Sequence, residues 1–394
     1  MTSLIRNRRR SRLVTAAIVS AVVFAGAACS DDSPDTGGTA PSSGGAASPE
    51  LATLLEDGYR GTFQAPPTEG PKAAAGKKVW VISCGQVAES CALIANSAMS
   101  AGKALGWNMT LFDGKLDPSN YSQGILQALA AGADGIMTTS VDCSAAKAPL
   151  EQAKKAGVFT TRVSGFDCDD TLEKNPGQSL YSTYPKYTGI DGYGATLEEW
   201  RKYSVAWMVG KTGGKAKVIN TTSPGYLISA HKDKGLEDTL KLCPDCKMVQ
   251  NLGISASDQA GPTAQQKLLA AFNKHSDANV FQIGAGGWFG RFANAAIRSS
   301  GRTDIHIAGD ECDESAIKAI KGAGPVEVCV ARDWKWEAWA AMDQLNRKFS
   351  DPASAPADQG LGFQIVDKEH GLPDGDHWSS PFDYQAAYKK IWQG

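Results

Sequence analysis

Short apolar runs alternate with segments of helical periodicity from Lys77 onward. The run KKVWVI at 77–82 has the length and composition of a strand that is buried on both faces. Apolar residues then recur at helical spacing over 87–105. The same alternation continues through predicted strands at 108–113, 134–139 and 158–163, with helices near 120–131 and 145–156. It predicts a parallel sheet whose strands are joined by right-handed helical crossovers.

A second set of alternating elements follows a polar interval at 167–190. Its predicted helices lie at 195–210, 229–242, 262–275, 288–299, 313–322 and 334–349. Its predicted strands lie at 216–221, 247–252, 279–283, 304–308, 326–330 and near 362–366. The pattern therefore predicts two α/β modules of similar size, with a ligand crevice between them at the carboxyl ends of their strands.

The N-terminus has the pattern of an export signal. An arginine-rich start precedes the apolar stretch 13–24, which is too short to span a bilayer comfortably, and small residues lead into Cys29. Residues 1–28 are predicted to be a signal peptide, and Cys29 resembles the lipidated cysteine of a bacterial lipobox. A plain signal peptide cleaved near Ala28 is the alternative. Both the general and the twin-arginine export routes remain open.

Residues 29–75 are predicted to be a lipid-anchored tether followed by a strap. Segment 30–49 contains almost no large apolar side chain and is rich in Gly, Ser and Pro, which is typical of a flexible spacer. A short helical stretch is predicted around 51–55, and the compact body is expected to begin near Gly76. No later segment is apolar enough to cross a membrane.

Composition and charge narrow the class of protein. The 394 residues are 42% hydrophobic and 21% charged, which is ordinary for two or three globular units. There are 40 basic and 42 acidic residues, and removal of 1–28 leaves 35 basic residues and a net charge near −7. Nucleic acid is therefore not an expected partner, because phosphate binding requires basic surface.

Nine cysteines indicate an oxidising compartment. Eight follow Cys29, and their layout suggests four local pairs: Cys84–Cys91, Cys143–Cys168, Cys243–Cys246 and Cys312–Cys329. The C-P-D-C sequence at 243–246 is also compatible with a redox motif, but it follows a helix and enters a strand, which favours a structural disulfide. The five histidines show no ligand spacing, so no metal or cofactor is expected.

Four segments of the body resemble a known family. They are KKVWVISCG, AAGADGIMTTSVDCSAAKAPLEQAKKAGV, AKVINTTSPGYLISAHKDKGLEDTL and DIHIAGDECDESAIKAIKGAG. In order and spacing they resemble the type I solute-binding proteins of ABC importers, in the ribose- and galactose-binding branch. The resemblance implies an α/β fold of two doubly wound Rossmann-like lobes joined by a hinge. The first lobe is expected at 76–182 plus 333–365, and the second at 183–332 plus 366–394.

The same resemblance implies a function and a set of partners. The protein is expected to capture a small polar solute between its lobes and to deliver it to a membrane permease. It is expected to be a monomer that is lipid-anchored at the outer face of the cell membrane. A ligand-binding component of a sensory or chemotaxis system is the alternative. No GxSxG, HExxH or paired Cys/His nucleophile pattern occurs, so an enzyme is not expected.

The identity of the solute is left open by departures from the family pattern. Sugar binders of this family carry aromatic residues, an Asp-Arg pair and an Asn-Asp pair at three positions of the cleft. In this sequence those positions hold residues 83–87, 164–165 and 284–285, although Asp310 keeps the family's acidic position. A pentose, a polyol and a small aromatic glycoside all remain possible. Trp288 and Trp334 follow strand ends and are expected to face the crevice. The full set of candidate ligand contacts is Gln86, Glu89, Asp142, Phe166, Asp167, Tyr226, Trp288, Asp310, Arg332, Asp333 and Trp334.

Overall fold

The computed structural model describes residues 48–394, apart from the side chain at position 323. The predicted signal peptide, the lipidation site Cys29 and the tether up to residue 47 lie outside the described residues. Within the described part, no helix combines the length and the apolar character needed to cross a bilayer.

The first lobe is built on a four-stranded parallel sheet of order β2-β1-β3-β4. Its strands are β1 (Lys78–Ser83), β2 (Asn108–Asp113), β3 (Gly135–Thr139) and β4 (Phe159–Val163). Its helices are α2 (Glu89–Ala104), α3 (Pro118–Ala130) and α4 (Lys147–Lys155); helix α1 (Pro49–Arg60) precedes the lobe. All five residues of β3 are buried. Apolar runs of this kind are expected where helices cover both faces of a parallel sheet.

The second lobe is built on a six-stranded sheet of order β12-β10-β9-β8-β6-β7, parallel except for β12. Its strands are β6 (Lys217–Thr222), β7 (Lys247–Gly253), β8 (Val280–Gln282), β9 (His306–Ala308), β10 (Val326–Ala331) and β12 (Gln364–Asp367). Its helices are α5 (Tyr193–Lys211), α6 (Leu227–Leu240), α7 (Ala256–Gln259), α8 (Thr263–Lys274), α9 (Asn294–Ser300) and α10 (Glu314–Lys318). The predicted fold class, two doubly wound α/β lobes, is confirmed.

Between β4 and β12 the chain passes between the lobes three times, at 164–192, at 332–333 and at 362–363. A small parallel pair formed by β5 (Lys186–Tyr187) and β11 (Asp358–Leu361) accompanies two of these crossovers. Helix α11 (Trp334–Ser350) follows the second crossover and packs against α2 and β4 of the first lobe. The hinge therefore consists of several segments, two of which are joined by the pairing of β5 with β11.

The C-terminal helix α12 (Tyr384–Gln393) packs on α11 through stacked aromatic rings. The Trp336 ring stacks on Tyr384 with centroids 5.3 Å apart, and the Trp339 ring stacks on Trp392 at 5.5 Å. The Trp336 indole also donates to the Tyr388 hydroxyl at 3.1 Å. The lobe boundaries of the sequence analysis stay a prediction, but these contacts place the end of the chain beside a helix of the first lobe.

Helix α1 lies in the segment that the sequence analysis assigns to the tether and strap. It packs on α5 and β12, Leu51 is 1% exposed, and the Ser48 hydroxyl accepts the Leu51 N–H at its start. A side chain at Gly58 would collide with Ile365 and Tyr203, so the helix sits close against the second lobe. The packed body therefore begins near Pro49 because these small and apolar positions bury one face of α1.

A Leu51→Ala substitution tests whether α1 is part of the folded unit. We expect it to lower the free energy of unfolding by about 2–4 kcal/mol, because it leaves a cavity under the helix. Urea unfolding of the protein measures the loss. The control Glu56→Ala alters an exposed position of the same helix and should change little. Equal stability of the two variants would contradict a cooperative role for α1.

Candidate functional site

Loops from both lobes meet at the carboxyl ends of the strands, and disulfides fix three of these loops. Cys84–Cys91 closes the loop between β1 and α2, Cys143–Cys168 joins the segments after β3 and β4, and Cys312–Cys329 ties the loop after β9 to β10. A fourth disulfide, Cys243–Cys246, closes the turn between α6 and β7. These are the four pairs that the sequence layout suggests.

Arg332 occupies the second crossover and is held from several directions. Its guanidinium donates to both carboxylate oxygens of Glu337 on α11, at 2.9 and 3.0 Å. It also donates to the Ser164 hydroxyl of the first lobe at 2.8 Å and to the Tyr193 hydroxyl at the start of α5 at 3.3 Å. The Tyr187 hydroxyl donates to Glu337 at 2.7 Å. This buried network joins both lobes at the hinge, and it uses most of the hydrogen-bond donors of the guanidinium.

Asp310 follows β9 and is fully buried between two cations. Its oxygens accept from Arg201 at 2.8 Å and from Lys232 at 2.6 Å, and its side chain has 0% exposure. The Lys232 ammonium also lies 4.7 Å from the centre of the Trp200 ring. Asp310 is one of the predicted ligand contacts, whereas in the structure both its oxygens accept from helices α5 and α6.

Glu311, the next residue, lies in a pocket between the lobes that we call the cleft pocket. The cleft pocket is lined by Glu89, Leu93, Glu311, Cys312, Asp313, Arg332, Asp333, Trp334, Lys335, His377 and Trp378. It brings together four of the predicted contacts: Glu89, Arg332, Asp333 and Trp334. Its free space is about 40 Å³, which is less than a sugar-sized solute occupies.

The charged groups of the cleft pocket differ in how many hydrogen bonds they form with the rest of the protein. Burial raises the pKa of Glu311 to about 7, and the nearby Lys232 ammonium opposes this shift. Among the described residues, none forms a hydrogen bond with the Glu311 carboxylate. Asp333, in contrast, caps α11 by accepting the N–H groups of Lys335 and Trp336, and it accepts the Ser380 N–H. Glu311 is therefore a carboxylate that is partly desolvated and still available.

A second interlobe contact, the His231 cluster, is formed by Phe166, Asp170, Glu198 and His231. The imidazole of His231 on α6 lies 2.8 Å from Asp170 of the first crossover and 2.8 Å from Glu198 on α5. The Phe166 ring stacks on it with centroids 5.3 Å apart. Burial disfavours the charged imidazole, but the hydrogen bonds to Asp170 and Glu198 prevail and raise the pKa of His231.

Two further predicted residues, Asp167 and Asp142, organise the loop that carries Phe166. The Asp167 carboxylate accepts the N–H groups of Cys168 and Leu180 and lies 3.8 Å from the Arg162 guanidinium. Asp142 accepts the Phe166 N–H at 3.1 Å, and burial raises the pKa of Asp142 to about 6. Phe166 and Asp167 border a cavity of about 370 Å³ beside the His231 cluster.

The remaining predicted contacts are dispersed around the cleft. Gln86 follows β1; its N–H donates to Asp113 and its side-chain amide to the Ser83 hydroxyl. Tyr226 precedes α6 and is 56% exposed. Neither residue lines the cleft pocket.

Trp288 differs from the expectation that it faces the crevice. Only 4% of it is exposed, its ring packs on Phe292, and its indole donates to Gln259 at 3.1 Å. The turn at 284–287 separates it from the end of β8, so the side chain packs inside the second lobe. Gly284, which starts this turn, has no room for a side chain because a Cβ would overlap with the Thr221 carbonyl.

Several residues of the site are absent from the predicted set, among them Glu311, His231 and Trp378. Glu311 directly follows Asp310 at the end of β9, so the strand pattern already placed it at the correct edge. His231 lies in the first turns of a helix that begins at the carboxyl end of β6, which is also a position that faces the cleft. Trp378 lies in the C-terminal segment 368–383, where no sequence pattern indicates a role.

The fold and this cleft define a class of protein. Two α/β lobes joined by several crossovers, with a pocket lined from both lobes at the strand ends, form a type I solute-binding protein. The model of the periplasmic binding protein domain family matches residues 88–350. The chain therefore belongs to the periplasmic binding protein family, and its members work outside the cytoplasm. Within residues 48–394, no group of three or more His, Cys, Asp or Glu side chains is arranged to hold a metal.

Solved structures with the same fold include solute-binding proteins of ABC transporters. An ABC transporter solute-binding protein from Agrobacterium vitis with bound allitol is 16% identical, with 75% of this chain and 96% of that chain covered and a TM-score of 0.59. The arabinose-binding protein of Shewanella sp. ANA-3, bound to arabinofuranose, is 16% identical over 80% and 96% of the chains, with a TM-score of 0.59.

A glucose-galactose binding protein from Geobacillus stearothermophilus is similar to the same degree. It is 15% identical, with 75% of this chain and 99% of that chain covered and a TM-score of 0.61. No curated protein sequence matches the chain. At these identities the structural likeness establishes the fold, and the ligand has to be argued from the residues of the cleft.

A His231→Gln substitution tests the charge on the His231 cluster. The pKa of His231 is raised on folding, so its stabilisation is complete below the unfolded value of about 6.5 and is lost as pH rises through the folded value. We expect the substitution to cost about 1–3 kcal/mol at pH 6 and clearly less at pH 9, measured by urea unfolding at both pH values.

The control for this experiment is His377→Gln, which alters an exposed histidine. It should leave the pH dependence of stability unchanged. A cost of His231→Gln that is the same at pH 6 and pH 9 would contradict a charged imidazole between Asp170 and Glu198.

Proposed function

We propose that this protein is the extracytoplasmic substrate-binding lipoprotein of an ABC importer, and that it captures a small sugar or polyol between its lobes. The observation that carries the proposal is the cleft pocket, which takes residues from the first lobe, the second lobe and the crossover. A solute bound there contacts both lobes only when they are together. Binding therefore favours the closed arrangement, because only differential contacts shift such an equilibrium.

The cleft pocket offers the groups that recognise a polyhydroxylated solute. Trp334 and Trp378 supply ring faces for the apolar side of a sugar, and Glu89 and Glu311 supply acceptors for hydroxyl groups. The relatives of known structure include proteins with bound allitol and bound arabinofuranose. A pocket of this chemistry binds and releases its solute without covalent change, so the protein acts as a carrier and not as an enzyme.

Delivery to a membrane permease follows from the same cycle. The closed, loaded protein presents surfaces of both lobes in one fixed arrangement, and a permease that recognises this arrangement discriminates it from the open form. The predicted export signal and the cysteine at position 29 support lipid anchoring of the carrier at the outer face of the membrane. The composition of 30–49, rich in Gly, Ser and Pro, is that of a spacer between such an anchor and the body.

Ligand binding is tested by a thermal-shift and calorimetric screen of pentoses, hexoses and polyols. A ligand at a hundredfold excess over its Kd stabilises the protein by about 2.7 kcal/mol, which gives a clear shift in Tm. We expect Trp334→Ala to weaken binding by about tenfold, because a ring face is lost. The control Leu126→Ala removes an exposed apolar side chain outside the pocket and should bind normally. Absence of any sugar or polyol ligand would overturn the proposal.

Lipid anchoring is tested by cell fractionation of the full chain. We expect the wild type in the membrane fraction and Cys29→Ser outside it, since only the cysteine thiol carries the lipid. The control Ser30→Ala alters the neighbouring residue and keeps the Cys29 thiol, so this variant should remain in the membrane fraction. Recovery of the wild type in the soluble extracytoplasmic fraction would instead support a plain signal peptide. Co-purification of the loaded form with a sensor kinase, and not with a permease, would support the sensory alternative.

A further inference from the structure

The cations around the cleft are largely neutralised by the protein itself. Arg332 forms a bidentate ion pair with Glu337, and both groups have side-chain exposure of only 1%. Lys232 is paired with Asp310, which also accepts from Arg201. A ligand that enters the cleft therefore meets few positive groups that are free to attract an anion.

Two carboxylates of the cleft pocket, Glu89 and Glu311, remain available, whereas Asp313 and Asp333 cap helices α10 and α11. Glu89 on α2 and Glu311 after β9 come from opposite lobes and line the same pocket. Among the described residues, neither has an ion-pair partner within 4 Å. Lys335 also lines the pocket and is its remaining unpaired cation within the described part of the chain, so two available carboxylates stand against one ammonium.

Aromatic rings supply a second, independent element of the pocket. Trp334 and Trp378 line it beside the two glutamates, and both are partly exposed to it. The Trp378 ring is held in place by stacking on Phe63, with centroids 5.3 Å apart. Indole faces attract cations through the ring quadrupole, and most strongly where water is excluded. Carboxylates and indole faces together are suited to a protonated amine.

We propose that the cleft pocket selects a polyhydroxylated solute that carries a protonated amine, such as an amino sugar or an amino polyol. The ammonium group lies between Glu89 and Glu311 and against the tryptophan faces, and the hydroxyl groups contact the remaining polar lining. This inference rests on the proposed carrier function and names the class of its solute. A neutral sugar adds no positive charge beside the partly desolvated Glu311, whereas an ammonium group stabilises its ionised form.

The direct test compares matched ligand pairs by calorimetry on the wild-type protein. The pairs are glucosamine with glucose, galactosamine with galactose, and glucamine with sorbitol. We expect at least one amine to bind about tenfold or more tightly than its neutral partner, since hydrogen bonds to charged groups are the stronger class. N-acetylglucosamine, which keeps the nitrogen but not the charge, should behave like the neutral sugar.

A substitution tests whether Glu311 causes the preference for the amine ligand. Glu311→Gln keeps the size of the side chain and should remove most of the difference between amine and neutral ligand. The matched control is Glu314→Gln on α10, whose carboxylate is paired with Lys318 outside the pocket and should leave the preference intact. Proton uptake or release gives a further readout, because an ammonium beside Glu311 favours its ionised form and binding at pH 7 should release protons.

The outcomes separate this inference from the carrier function. Binding of neutral sugars with equal or higher affinity than their amines would overturn the amine preference and leave the carrier function standing. Binding of neither class would overturn the carrier function itself. An amine preference that survives Glu311→Gln would place the cation site elsewhere and would also overturn the assignment made here.

Discussion

The buried ion pair between Arg332 and Glu337 is the interaction on which the arrangement of the two lobes depends. Removing two charges from water is costly, and their attraction offsets this cost only when the remaining donors and acceptors are satisfied. Here Ser164, Tyr193 and Tyr187 satisfy them. Ser164 begins the first crossover, Tyr187 lies near its end and Tyr193 begins α5. The hydrogen bonds that satisfy the ion pair therefore hold the first crossover against the second.

The packing around this ion pair is apolar and continuous. Helix α11 begins two residues after Arg332 and carries Trp336 and Trp339 into an aromatic stack with α12. On its other side it packs against the first sheet. The same apolar cluster continues to α5 of the second lobe and to helix α1, which packs against that lobe. The hinge is thus supported by a shared core on one side, whereas polar contacts such as the His231 cluster join the lobes near the cleft.

Much of the fold was predictable because buried parallel strands have a simple sequence signal. The apolar runs at 77–82 and 134–139 coincide within a residue with β1 and β3, since strands covered on both faces have no room for polar side chains. The family pattern then supplied the two-lobed arrangement. Helix α1 was harder to place, because the core that it joins is formed by residues about 150 or more positions later in the chain, such as Tyr203 and Ile365.

The site was less predictable because it depends on which partner each charged group finds. The strand pattern placed Asp310 correctly at the cleft edge, but its partners Arg201 and Lys232 are 109 and 78 residues away in sequence. Nothing local shows that they occupy its oxygens and leave the neighbouring Glu311 available. Trp288 shows the same limit, since Gln259 and Phe292 hold it in the second lobe. The position of a residue along a strand predicts at which edge of the sheet it lies. The partners of its side chain depend on the tertiary structure.

The disulfides have a consequence for how the protein matures. The eight cysteines in the described residues form four disulfides, each between two consecutive cysteines of the chain, with separations of 7, 25, 3 and 17 residues. Eight cysteines allow roughly a hundred pairings, and the native one joins the thiols in the order in which they occur along the chain. A chain that is oxidised progressively from its N-terminus therefore reaches its final covalent structure with no bond to be broken and exchanged.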